Sequence, residues 1–162
     1  APWRTVTARV IGRDASNWWN SIQIDRGSDD GIRPNLPVLS ATGLIGKTVR
    51  VTAGESRVLL LTDTTCKVAA LIETTREPGI VSGTTTTLSR EPRLLMSFLD
   101  RKANVKPGDA VYTSGLGGIF PRGILIGTVL EADLDPLGIC QQVELKPAAD
   151  FRRLEEVMVI LP

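Results

Sequence analysis

Short stretches of alternating apolar and polar residues run the length of the chain, cut at intervals by glycine, proline and aspartate. Val6, Ala8 and Val10 share one face of Thr5–Ile11, with Thr7 and Arg9 on the other. Ile22 and Ile24 do the same within Ser21–Asp25. Period-two patterning of this kind marks half-buried strands. It predicts further strands at Val38–Ala41, Leu44–Val51, Arg57–Thr62, Lys67–Glu73 and Gly79–Ser82. Leu94–Leu99, Ala110–Thr113, Ile124–Glu131, Gln141–Lys146 and Glu156–Leu161 follow. Arg57–Thr62 and Glu156–Leu161 are apolar on both faces and belong between two layers. The only stretch with helical spacing is Ala148–Glu155, where Phe151 and Leu154 stand three residues apart. An all-β architecture follows. Twelve strands are many for one small barrel and natural for two of about six each.

The chain also echoes itself. Ile32-Arg33-Pro34-Asn35-Leu36-Pro37-Val38 compares with Val105-Lys106-Pro107-Gly108-Asp109-Ala110-Val111, and each leads into a glycine-bounded hairpin. The hairpins are Gly43–Val49 and Gly123–Val129, the second preceded by the extra residues LGGIFPRG. Two related six-stranded modules are the expected fold. Five predicted strands precede Asp63–Thr65 and seven follow, and a barrel one strand short has an unpaired edge. The expected division is therefore a first barrel in residues 1–63, closed by the C-terminal strand 156–162, and a second in 64–155.

The run VKPGDAVYTSGLGGIFPRGILIGTV (105–129) invites a search for a nucleophile at Ser114. A serine needs an activating base within hydrogen-bond reach, and the 162 residues include no histidine. Tyr112 and Leu116 stand where a nucleophile elbow has glycines, and a hairpin follows instead of a helix. Lys102 and Lys106, the remaining bases for a Ser-Lys pair, lie in polar loop sequence. No catalytic residue is assigned. Asp25, Asp29 and Asp30 around Gly27 and Gly31 lack the ligand series of a calcium loop and read as turn residues bonding their own backbone. Gly27, Gly31, Gly43, Gly46, Gly108, Asp109, Gly115, Gly117, Gly118, Pro121, Gly123 and Gly127 are all read as structural turn residues. Cys66 and Cys140 have no metal-ligand spacing; they are two separate buried thiols or one disulfide. No metal and no cofactor is expected.

Net charge is +1, with 19 basic and 18 acidic residues spread evenly, so no stripe suited to nucleic acid exists. The longest apolar runs fall far short of a membrane span. Ala1-Pro2-Trp3-Arg4 has no apolar region of a signal peptide, and the abrupt start reads as a segment of a longer protein whose anchor lies outside it. Trp18 and Trp19 are adjacent; on a strand they would point to opposite faces, so they either anchor a partner or pack over a barrel end. Leu116, Ile119 and Phe120 sit on a Gly/Pro tip that either folds back or enters a partner. These five are the protein-interface candidates, Phe120 first among them.

Several of these stretches, in this order, resemble one family: the extracytoplasmic domain of the bacterial rod shape-determining protein MreC. They are Ile24-Asp25-Arg26-Gly27-Ser28-Asp29-Asp30-Gly31-Ile32, Gly43-Leu44-Ile45-Gly46-Lys47 and Gly79-Ile80-Val81-Ser82-Gly83. Gly108-Asp109, Thr113–Pro121, Gly123-Ile124, Gly127-Thr128-Val129 and Pro147-Ala148-Ala149-Asp150 complete the set. The resemblance covers nearly all of the chain. It implies two β-barrels outside the inner membrane, in the periplasm, held by an N-terminal anchor and coiled coil absent from this sequence. It also implies a non-catalytic scaffold of cell elongation and peptidoglycan synthesis. Such a scaffold forms dimers or filaments with itself, binds the elongation-specific penicillin-binding transpeptidase, and works with MreD and MreB. The barrels are similar to those of chymotrypsin-like proteases. The alternative function is accordingly a divergent serine hydrolase using Ser114.

Overall fold

The computed structural model describes residues 3–84 and 91–162. Twelve strands form: β1 (Thr5–Arg13), β2 (Ser21–Ile24), β3 (Pro37–Leu39), β4 (Leu44–Val51), β5 (Ser56–Leu60), β6 (Val68–Ile72), β7 (Pro78–Gly83), β8 (Leu94–Asp100), β9 (Ala110–Thr113), β10 (Leu125–Leu134), β11 (Cys140–Pro147) and β12 (Glu156–Ile160). They build two closed barrels, one ordered β1-β12-β3-β4-β5-β2 and the other β10-β11-β8-β7-β6-β9. The all-β fold of two related six-stranded barrels agrees with the sequence reading. The one helical element among the described residues is a single 3₁₀ turn, Ser28–Asp30, ended by Gly31 at φ 87°. Ala148–Glu155 is a turn, not a helix; its Phe151 is buried, a single anchor rather than an apolar helical stripe.

The second barrel uses six consecutive strands. The first has the same cyclic order if β12 takes the place that β6 holds in the second. β12 lies between β1 and β3, pairing Val157 with Ala8 and Val159 with Val38. β6 likewise lies between β7 and β9, pairing Ala70 with Gly79 and Ile72 with Val111. One barrel is thus a circular rearrangement of the other, its first strand moved to the end of the chain.

The internal echo extends to individual hydrogen bonds. Asn35 N–H donates to Thr48 O and Thr48 N–H to Leu36 O; Gly108 N–H donates to Val129 O and Val129 N–H to Asp109 O. Asn35 and Gly108 both take positive φ, 66° and 91°. Val38 pairs with Gly46, and Val111 with Gly127. Gly46 and Gly127 therefore lie within β4 and β10 beside register shifts, not in turns as their sequence context predicts. Each faces the carbonyl of the next strand so closely that a Cβ would overlap the oxygen of Leu59 or of Lys146. Glycine here permits the sharp bend of a small barrel.

One apolar core runs through both barrels, from Ile22, Ile24, Leu44 and Leu60 to Ile72, Leu94, Met96 and Ile126. Asp63 joins them at the crossing. It accepts hydrogen bonds from Asn20 Nδ2 (2.6 Å) and from Thr65 Oγ1, and its carbonyl accepts from Gly83 N–H. Burial works to raise the Asp63 pKa, but the bonds from Thr65 and Asn20 outweigh it and the net shift is downward.

Gly46→Ala and Gly127→Ala should each lower stability by about 2–3 kcal/mol, the upper part of the overpacking range of about 1–3 kcal/mol. Gly54→Ala, where a Cβ meets nothing within 4 Å, should stay within about 0.5 kcal/mol. Urea midpoints of the three variants test this, and equal midpoints would contradict the role given to the paired glycines.

Candidate interaction surface

The lengthened connection between β9 and β10 is shaped from its base. Thr113 Oγ1 donates to Pro121 O at 2.6 Å and accepts from Ile124 N–H at 2.9 Å. Its backbone N–H donates to Ile124 O, and its carbonyl accepts from Gly123 N–H. Gly115, Gly117, Gly118 and Gly123 all take φ between 81° and 96°, the left-handed region that glycine enters without cost. The loop turns back on itself.

Phe120 consequently does not stand at the tip. It is 5% exposed and, with Ile119, lines a shallow cleft whose other wall is Trp3, Leu36 and Ile160 of the first barrel. Of the two outcomes the sequence leaves open for the tip, Phe120 folds back, and the residue belongs to the seam between barrels. Leu116 is the exposed one, at 67%, and Ile119 is half-buried. Gly43 approaches the second barrel at the same seam. A Cβ there would lie 2.8 Å from Ala148 Cβ and 2.9 Å from Leu125 O.

Ser114 Oγ accepts a hydrogen bond from Leu116 N–H at 3.3 Å, and its own N–H donates to Ala69 O. It shapes the turn. Asp109 accepts from Lys106 N–H at 2.9 Å, and Asp25 from Arg9 N–H at 2.7 Å; both tie backbone. Among the described residues, no group of three or more Cys, Asp or Glu is placed to hold a metal.

Trp18 and Trp19 lie in a turn, closed by Asn20 N–H donating to Asn17 O at 3.2 Å. The opposite-face geometry of a strand does not apply to them. Trp19 is 6% exposed. Trp18 is half-buried beneath Arg13, whose guanidinium carbon lies 4.3 Å from its ring centre and 5.7 Å from that of Trp19. Arg13 Nε donates to Trp18 O at 3.0 Å. Burial pushes the guanidinium down to about 10, so it remains charged at neutral pH and its stacking on the rings is a cation–π contact. Arg152 reaches the Trp19 ring from the turn before β12, at 5.7 Å. The tryptophans pack over the end of the first barrel, and neither is the freely exposed anchor that sequence allowed.

Both cysteines are free, Cys66 buried and Cys140 partly exposed. Burial pushes the Cys66 thiol up to about 12. Sequence reasoning passed over Arg13, which no motif marks, and Thr113, noticed only as a neighbour of Ser114. It also passed over a group of exposed apolar side chains, Phe98, Leu134, Leu137 and Ile139. The signal for the last was available: Leu134-Asp135-Pro136-Leu137-Gly138-Ile139 is a turn sequence carrying three large apolar residues where polar ones are usual.

Two barrels that enclose side chains, with loops that hold backbone rather than a reacting pair, define a class: a β-barrel module whose usable features are its surfaces. The sequence pattern of the family described as "Rod shape-determining protein MreC, barrel core" matches residues 10–161, and the chain belongs to that family. It is 37% identical over 159 residues to the cell shape-determining protein MreC of Listeria monocytogenes, covering 96% of this chain and 52% of that protein. The solved MreC structure from Listeria monocytogenes superposes with a TM-score of 0.91 at 36% identity, covering 98% of this chain and 76% of that one. A solved complex between the penicillin-binding protein PBP2 and MreC from Helicobacter pylori shares the fold at 22% identity and TM-score 0.70, covering 97% of this chain and 99% of that one. The chain spans about half the length of the curated relatives it matches.

Phe120→Ala should cost about 3–5 kcal/mol, the range for a buried aromatic, whereas Leu116→Ala should cost less than about 0.5 kcal/mol; thermal melts compare them. A thiol reagent at pH 8 should label the native chain at Cys140, and Cys66 only in denaturant. Because the folded Cys66 pKa lies above its ordinary value of 9.0, its thiol contributes fully below pH 9. That contribution falls away as pH rises towards 12. Cys66→Ala should flatten the alkaline loss of stability.

Proposed function

We propose that this chain is the extracytoplasmic barrel module of a non-catalytic scaffold in bacterial cell elongation, anchored to the inner membrane by a segment outside this sequence. It associates with copies of itself and binds the elongation-specific penicillin-binding transpeptidase, within a machinery that includes MreD and MreB. The single observation that carries this reading is membership of the MreC barrel-core family over residues 10–161. The Helicobacter pylori relative with the same fold stands in a complex with PBP2, which supports the partner class.

The local chemistry points the same way. The sequence supplies no histidine, and Ser114 is engaged with the backbone of its own turn. A serine hydrolase would require a base beside that hydroxyl. We further infer two folding units, residues 1–63 with 156–162 and residues 64–155. Among the five apolar candidates, Leu116 is exposed and Ile119 and Trp18 are half-buried, so these three are the contact candidates, while Trp19 and Phe120 act as supports.

Pull-down with the extracytoplasmic part of the elongation-specific transpeptidase tests the partner. Capture by the wild-type chain, weakened several-fold in Leu116→Asp with an unchanged melting temperature, is the expected result. Failure of the wild-type chain to capture it would refute transpeptidase binding. Stoichiometric labelling by a fluorophosphonate, lost in Ser114→Ala, would replace the scaffold reading with the hydrolase.

A further inference from the structure

β10 begins at the seam, where Leu125 O lies beside Gly43. Ten residues of strand carry its other end roughly 30 Å away. That far end of the second barrel holds four large apolar side chains in water: Phe98 at 71% exposure, Leu134 at 43%, Leu137 at 80% and Ile139 at 64%. The register brings them together. Gln141 of β11 pairs with Leu134 on one side and with Leu99, the neighbour of Phe98, on the other. Leu137 and Ile139 sit in the turn between β10 and β11.

Phe98 is placed there by a bulge. Met96 pairs with Val143 and Leu99 with Gln141, so β8 carries one residue more than β11 over this interval. Phe98 absorbs the excess at φ 68°, a conformation that disfavours a bulky L-residue. A bulge re-aims a side chain, and this one holds an aromatic ring in solvent. Strained backbone supporting an exposed ring points to use of that ring.

The flanks differ in charge. Glu131 and Asp133 lie in the last part of β10 and Asp135 follows it; Glu131 and Asp133 are exposed. On the other side, past β8, Arg101 and Lys102 are exposed beside Asp100, which accepts from Lys102 N–H. Arg101 also donates to Gly138 O across the turn at 2.9 Å. One flank is acidic and the other net basic.

We propose that this end of the second barrel is a self-complementary contact between two copies of the chain, packed face to face around Phe98 and Leu137 on a two-fold axis running along the strands. This specifies a surface for the self-association in the functional reading and rests on that reading. With the axis along the strands, the acidic flank of each copy meets the basic flank of the other. β9 pairs with β10 only as far as Thr128, and pairing two copies through the part of β10 beyond it would instead set acid against acid. Taking about 200 Å² for a whole large apolar residue, the four side chains expose roughly 500 Å². A standard interface takes about 800 Å² per partner, so the cluster supplies a core and the charged flanks its rim. A net charge of +1 leaves little repulsion between copies.

Sedimentation velocity over a concentration series tests the contact. The wild-type chain should dimerise. Leu137→Glu should weaken dimerisation at least tenfold, as should Phe98→Asn, which keeps a residue suited to left-handed backbone; both should melt as the wild type does. Reversing Arg101 and Lys102 to Glu should weaken it several-fold, and adding Asp133→Lys and Asp135→Lys in the same chain should restore it. A dimer indifferent to Leu137→Glu and Phe98→Asn would overturn this surface while leaving self-association standing. A chain monomeric throughout would overturn both. Unchanged dimerisation with lost transpeptidase capture, or with lost flotation on anionic phospholipid vesicles, would reassign the cluster to an enzyme or a bilayer and overturn the proposal.

Discussion

An open sheet edge is a row of backbone donors and acceptors without partners, and closing two such sheets is the constraint on which the rest of this molecule depends. The second barrel meets it with consecutive strands. The first meets it only when β12 returns from the far end of the chain and lies between β1 and β3. The barrels are tied together at three places. Asp63 fixes the outward crossing through Asn20, Thr65 and Gly83. Arg152, in the turn that leads back, reaches the ring of Trp19. The loop holding Phe120 then covers the remaining side beside Leu36 and Ile160. Once the edges are closed, what the molecule offers to others is confined to loops, strand ends and the outer faces of the sheets.

The β9–β10 loop shows how one stretch serves both sides of that division. Glycine at positive φ lets it double back, Thr113 locks its base, and the aromatic it carries goes inward. Leu116 is left outside. The Arg13 stack works similarly at the other end of the first barrel: a half-buried cation covers two indole rings. In both cases the apolar residues that look most like partner anchors serve first to join or cap the barrels.

The strands were legible because each is short, alternates at period two and ends in residues with turn chemistry. The echo between Arg33-Pro34-Asn35 and Lys106-Pro107-Gly108 was legible because the same positive-φ requirement recurs in both copies. Counting strands against the need to close an edge was enough to motivate the return of the last strand. Side-chain destinations were harder. Whether Phe120 folds inward depends on Leu36 and Ile160, far away in sequence, and no local pattern encodes them. Adjacent residues such as Trp18 and Trp19 alternate in direction on a strand, but a turn changes which way each ring points. Gly46 and Gly127 resembled turn glycines because nearness to a neighbouring carbonyl and positive φ select the same residue. Phe98 kept perfect strand company, and only the register across β8 and β11 reveals its bulge.

The late return of β12 also sets an order of events for a newly made chain. Residues 5 to 9 of β1 pair with residues 156 to 160, and contacts so distant in sequence form slowly because a long loop must close first. The second barrel has all its strands before β12 exists. For that interval β1 and β3 keep unpaired edges open to pairing with another chain. Completion of the first barrel therefore waits for β12: without residues 156 to 160 it lacks one stave and its sheet stays open.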